Sequence, residues 1–123
     1  MGCAPLWEDG LVQHWDLLSI DAPSGTRDPR VVVEDDGARA VLVVLGPGQE
    51  LGEHQVRENA WVVVLEGMLR VAEPGGEPLE FGRGTLLRWE PGQRHALGSE
   101  EGARLLLILT PWPGKGHYEA SER

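Results

Sequence analysis

With Cys3 as its only cysteine, the chain cannot close a disulfide within itself, and a reducing compartment is the plain expectation. Cys3 also lacks a CxxC partner, so thiol redox chemistry is not expected of it. Long apolar runs are missing as well. The longest, Ala40 to Leu45 and Ala60 to Leu65, fall far short of the roughly 20 residues that span a bilayer. Met1 to Gly10 carries Glu8 and Asp9 and has neither the basic start nor the apolar centre of a secretory signal. A soluble cytoplasmic protein is expected.

Positive charge is scarce too. Lys and Arg number 11 against 20 Asp and Glu, a formal net charge of -9, so the summed field opposes nucleic acid and anionic membrane surfaces. The bases form no run: Arg27, Arg30, Arg39, Arg57, Arg70, Arg83, Arg88, Arg94 and Arg104 are scattered, and Lys115 is the single lysine. Neither partner is expected. A phosphate-cradling Gly-rich loop before a helix, a Gly-x-Ser-x-Gly turn and paired zinc cysteines are also absent.

What the chain has is punctuation. Its 17 Gly and 9 Pro break it into short runs of Val, Leu and Ile, too short for ordinary helices, within a composition of 41% hydrophobic and 25% charged residues that suits one globular domain over 1–123. The pattern predicts strands over Leu11 to Leu18, Arg30 to Glu34, Ala38 to Leu45, Trp61 to Leu65, Met68 to Ala72, Thr85 to Trp89 and Ala103 to Thr110. Asp35-Asp36-Gly37 and Glu73 to Pro78 read as hairpin connections, and Glu90-Pro91-Gly92 as an abrupt strand-ending turn. Asp21 to Pro29 reads as an exposed loop and Gly114 to Arg123 as a polar tail. Val41 to Leu45 and Leu105 to Leu109 are apolar at every position, which predicts strands covered on both faces. A closed antiparallel barrel whose outer face meets a second layer or a partner subunit follows, and a homodimer is expected.

Two segments carry a more specific pattern. Gly48, His54 and Gly67 in the first, and Gly84, Gly92 and His95 in the second, stand at the spacing of the two signature motifs of the cupin superfamily, which this chain resembles over about Val41 to Leu109. The resemblance implies an all-β fold, an antiparallel double-stranded β-helix or jelly-roll barrel. In metal-bearing cupins three His and one Glu converge inside the barrel on a divalent ion. Carried over by position, His54 matches the first His and His95 the last, while Val56 stands for the second His and Ala60 for the Glu. Glu90 stands where the family often has Pro, with Pro91 one place later.

Two imidazoles alone hold a first-row ion weakly, so a third ligand would be needed. On an extended strand, positions 54, 56 and 58 share one face, which makes Glu58 the candidate; as a turn residue beside Arg57 and Asn59 it would instead be solvated. His14 and His117 lie outside both motifs and are expected to be structural or exposed. Trp7, Trp15, Trp61 and Trp89 read as core or interface fillers, and Trp112 as a cover for one mouth of the barrel.

Two functions fit these residues. The preferred one is a small-molecule-binding barrel with a degenerate metal site, its apolar wall drawn from Val56, Ala60, Val62, Val64 and Leu97, with His54 and His95 as hydrogen-bonding anchors; it requires no cofactor. The other resembles the metal-dependent cupin dioxygenases and isomerases, with His54, His95 and Glu58 holding a divalent transition metal. A structural barrel acting through its dimer surface is a third.

Overall fold

The Val, Leu and Ile runs between glycines and prolines do pair as strands. The computed structural model describes residues 12–35 and 37–113, with residues 25–28, 53 and 54 described by their backbone alone. Cys3, Trp7, Asp36, Lys115, His117 and the tail expected over Gly114 to Arg123 lie outside the described residues. Eight strands form: β1 (Gly25–Asp35), β2 (Ala38–Leu45), β3 (Gln49–His54), β4 (Asn59–Ala72), β5 (Leu79–Gly82), β6 (Leu86–Trp89), β7 (His95–Ser99) and β8 (Ala103–Thr110). All strand pairings are antiparallel, in the order β1-β2-β8-β4-β7-β3 with β5 and β6 also on β4. Only β1 with β2 and β4 with β5 are consecutive; the other pairs close long stretches of chain, as a double-stranded β-helix requires.

β4 is the hinge of this architecture. Its first half pairs with β6 and β8, and its second half with β5 and β7, so one long strand belongs to both layers. The register against β8 slips by one residue between Val64 and Glu66. Without that slip, Leu69 and Val71 would turn outward; with it, Ala60, Val62, Val64, Leu69 and Val71 are all buried. Gly67 sits at the bend with φ +80°, and a side chain there would collide with the Gly102 carbonyl oxygen. Ser99 locks the same corner: its hydroxyl donates to the Met68 carbonyl at 2.6 Å and accepts from the Gly102 N–H at 2.9 Å.

The interior is stacked in rows that run across β2, β8 and β4. Val43, Leu105 and Val64 form one row, Val41, Leu107 and Val62 the next, and Arg39, Leu109 and Ala60 the third, which extends through Ala60 to Trp89 on β6. At the end holding Leu45, Val64, Leu69, Ala103 and Leu105 the barrel is filled. Complete burial of a leucine such as Leu105 or Leu69 contributes about 2 kcal/mol each by area, and this packed end carries much of the stability. The opposite end is hollow.

Several sequence expectations need correction. No strand forms over 12–18; instead the Asp16 carboxylate accepts from the Leu18 N–H at 3.2 Å and the Ser19 hydroxyl at 2.8 Å, a local turn that competes with extended pairing. That segment is tied down by Arg104, whose Nε donates to the Leu17 carbonyl at 2.8 Å and whose Nη2 donates to the Ile20 carbonyl. The loop expected over Asp21 to Pro29 is shorter, because β1 begins at Gly25, with a register shift between Gly25 and Arg30. Trp61 to Leu65 and Met68 to Ala72 are one strand, not two. β3, β5 and β7 were not expected, since QELGEH, LEFG and HALGS carry little strand propensity of their own and are set by their partners.

Candidate functional site

The hollow end encloses a cavity of about 390 Å³. Its wall comes from inward-facing alternate positions: Arg39, Val41 and Val43 on β2, Leu105, Leu107 and Leu109 on β8, Ala60 and Val62 on β4. Leu51 and Gly52 on β3, Trp89 on β6, His95 and Leu97 on β7, together with Pro29 and Val56, complete it. The size and the mostly apolar wall are those of a small-molecule site. Of the wall residues expected from sequence, Val56, Ala60, Val62 and Leu97 line the cavity, whereas Val64 is buried in the packed end beyond it.

His95 is the best-positioned polar group in the wall. Its ring is buried and stacks on Trp89, with centroids 4.2 Å apart and planes 18° from parallel. Nδ1 lies 3.2 Å from the Gln93 carbonyl, and since a carbonyl only accepts, Nδ1 carries the proton and donates. In the neutral ring, Nε2 is then the acceptor. The turn that supplies this carbonyl is itself braced: the Gln93 N–H donates to the Glu90 carbonyl at 3.0 Å, the Gln93 side chain accepts from the Glu90 N–H at 3.0 Å, and its amide donates to Glu73 at 3.0 Å. Pro91 and Gly92 fit the turn, whose Gly92 N–H donates to the Val56 carbonyl at 2.8 Å and so joins it to the segment after β3.

His54 ends β3, where a register shift between Leu51 and His54 sets its backbone opposite that of His95. The His54 side chain lies outside the described residues. The chain does not stay extended beyond it: Gln55 and Val56 are irregular and Arg57 and Glu58 bend into β4, so the extended strand on which 54, 56 and 58 would share a face does not form. Val56 nevertheless reaches the cavity wall. Glu58 does not line it, but its exposure of 0% replaces the expected solvated turn residue with an interior carboxyl.

Ten of the fifteen wall residues lie outside the site expected from sequence, and two of them do more than supply aliphatic surface. Trp89 is core filler, as expected, and is also the plate against which His95 is held. Arg39 was read only as one of many scattered bases. Its parity with Val41 and Val43 was the available signal, because every second residue of a strand shares a face. Trp112 packs against the core and lies under the Arg39 guanidinium, 4.6 Å from Cζ to ring centroid; it is not itself a wall residue of the cavity.

Among the described residues the wall presents one imidazole and one guanidinium, and the apolar Val56 and Ala60 occupy two positions where the resemblance implies ligands. Among the described residues no three His, Cys, Asp or Glu side chains converge. The described donor set therefore does not fit a tight divalent site, which asks for three or more such ligands.

Comparison with known proteins agrees with the fold. No curated protein matches the chain. Among solved structures, an RmlC-like cupin protein from Desulfovibrio desulfuricans is 22% identical, with a TM-score of 0.71 over 81% of this chain and 97% of that one. A Klebsiella pneumoniae protein with a double-stranded β-helix domain is 18% identical, with a TM-score of 0.71 over 84% and 93%. A cupin-2 domain protein from Shewanella frigidimarina is 19% identical, with a TM-score of 0.67 over 85% and 98%. At these identities the likeness is one of fold. The family model for the cupin domain matches residues 41–109, more than half of the sequence, and the chain belongs to the cupin superfamily.

Proposed function

We propose that this cupin binds a small molecule in the hollow end of its barrel, with a metal site degenerated into apolar wall. The observation that carries the reading is that Val56 and Ala60, at two of the family's ligand positions, line a cavity of about 390 Å³ beside a braced His95. The ligand's apolar body would cover the surface that partly buried wall residues such as Leu51, Val56 and Leu107 still present to the cavity. The His95 imidazole would hydrogen-bond a hydroxyl or amide of the ligand, and His54 would serve as a second anchor. A single cytoplasmic domain acting as a homodimer belongs to the same reading. The lone cysteine supports the compartment, and the outward residue Leu86, at 58% exposure, supports an apolar contact between copies.

A second reading, a metal-dependent enzyme, has two observations in its favour. Glu58 is an interior carboxyl, and a histidine that donates Nδ1–H to a backbone carbonyl is oriented as metal-bound imidazoles are. Metal analysis decides between the two. Protein purified without tag or chelator, then incubated with iron(II), manganese, nickel or zinc and dialysed, should retain far less than one ion per chain. Retention near one ion per chain, lost in a His54→Ala, His95→Ala double variant, would overturn the first reading in favour of the second.

A further inference from the structure

We propose that the ligand is an apolar monocarboxylate and that Arg39 holds its carboxylate; this rests on the cavity being a small-molecule site. Arg39 is the one Lys or Arg in the wall, and no Asp or Glu lines the cavity among the described residues. A chain with a formal net charge of -9 therefore presents a positive group to its own interior space.

The position is costly for the fold alone. Arg39 lies in the inward row with Leu109 and Ala60, its side chain only 28% exposed, where an aliphatic residue would pack without desolvating a charge. What surrounds it prepares a binding fork. Glu34, opposite on β1, approaches Nε at 3.3 Å, and the Trp112 ring lies against the guanidinium plane at 4.6 Å. Glu34 meets Nε as an ion pair without a hydrogen bond and the indole covers one face, and among the described residues the terminal nitrogens have no hydrogen-bond partner either. The edge left over is the one that grips a carboxylate with two parallel hydrogen bonds. The two terminal nitrogens match the two oxygens of one carboxylate; with Glu34 already beside the guanidinium, a phosphate monoester would bring more negative charge than this edge can balance.

Calorimetric titration with octanoate and octan-1-ol, matched in chain length, tests this. Octanoate should bind at least about tenfold more tightly than octan-1-ol. In Arg39→Gln that preference should shrink about tenfold, and Arg39→Lys, which keeps the charge but loses the fork, should fall between; thermal melts confirm that both variants are folded. Equal binding of the two probes by the unaltered protein, or a preference that survives Arg39→Gln, overturns the carboxylate inference while leaving the cavity reading intact. Binding of neither probe removes both. Tighter binding of octyl phosphate than of octanoate would overturn the assignment of the head group.

Discussion

The His95 imidazole lies flat against the Trp89 indole, 4.2 Å between centroids, on neighbouring ends of β6 and β7 joined by the braced Glu90–Arg94 turn. Stacking fixes the ring plane and the hydrogen bond to the Gln93 carbonyl fixes its rotation. Replacing Trp89 by Ala removes both the stack and a buried side chain. A loss of about 3–5 kcal/mol in denaturant melts is expected, with Trp89→Phe losing less than half of that because a stacking ring remains. A loss below about 1 kcal/mol for the alanine variant would show that the cavity wall closes over the gap.

Gly67 governs the other end of the barrel. Its φ of +80° and the collision that a Cβ would make with the Gly102 carbonyl predict that Gly67→Ala destabilises by about 3 kcal/mol, measured by urea unfolding. Ser99→Ala, at the same corner, loses two hydrogen bonds of a buried hydroxyl and leaves the Met68 carbonyl and the Gly102 N–H to find new partners. About 1–3 kcal/mol is expected. If either substitution is neutral, the slip in β4 is not held by this corner.

Much of this fold was legible because its punctuation is chemical. Gly37, at φ +90°, stands in the β1–β2 connection that Asp35-Asp36-Gly37 suggested, and the Glu73 to Pro78 stretch does join two paired strands, β4 and β5. What could not be read was non-local. A glycine in the middle of β4 reads as a strand end, whereas here it marks the bend by which one strand serves two layers. β3 and β7 hold the two motif histidines, yet neither sequence resembles a strand until the other lies beside it. For Glu58 the sequence leaves two readings, since Arg57 and Asn59 argue for solvent, and only the bend between β3 and β4 takes its side chain inward.

Arg104 explains how a segment without strand pairing stays on the barrel. Its guanidinium bonds the carbonyls of Leu17 and Ile20, so Arg104→Ala should release residues 17–20 while sparing the sheet. Amide hydrogen exchange is expected to accelerate at Leu18 and Ser19 by at least about tenfold, and global stability to fall by about 1–2 kcal/mol. Uniform acceleration across β4 and β8 would instead mean that this segment is part of the folding unit itself.

On the proposal that the metal site has degenerated through its side chains alone, returning its ligands should restore it. Ala60 and Val56 already face the cavity, so Ala60→Glu and Val56→His would place new donors into open space rather than into packed core. The double variant should stay folded and bind cobalt(II) about a hundredfold more tightly than the unaltered protein, with the visible absorption of a protein-bound ion, and a further His95→Ala should abolish the gain. Ala60→Glu alone makes a different point. It adds a carboxylate to the row that holds Arg39, two strands or about 10 Å away along a curved sheet, near enough for two long side chains to meet. Octanoate binding should then weaken more than octan-1-ol binding, as an internal anion competes for the guanidinium. A double variant that is folded yet gains no affinity for cobalt would mean that the backbone around Val56 has moved away from a ligating geometry, and that the departure from metal chemistry lies in the path of the β3–β4 connection as well as in its side chains.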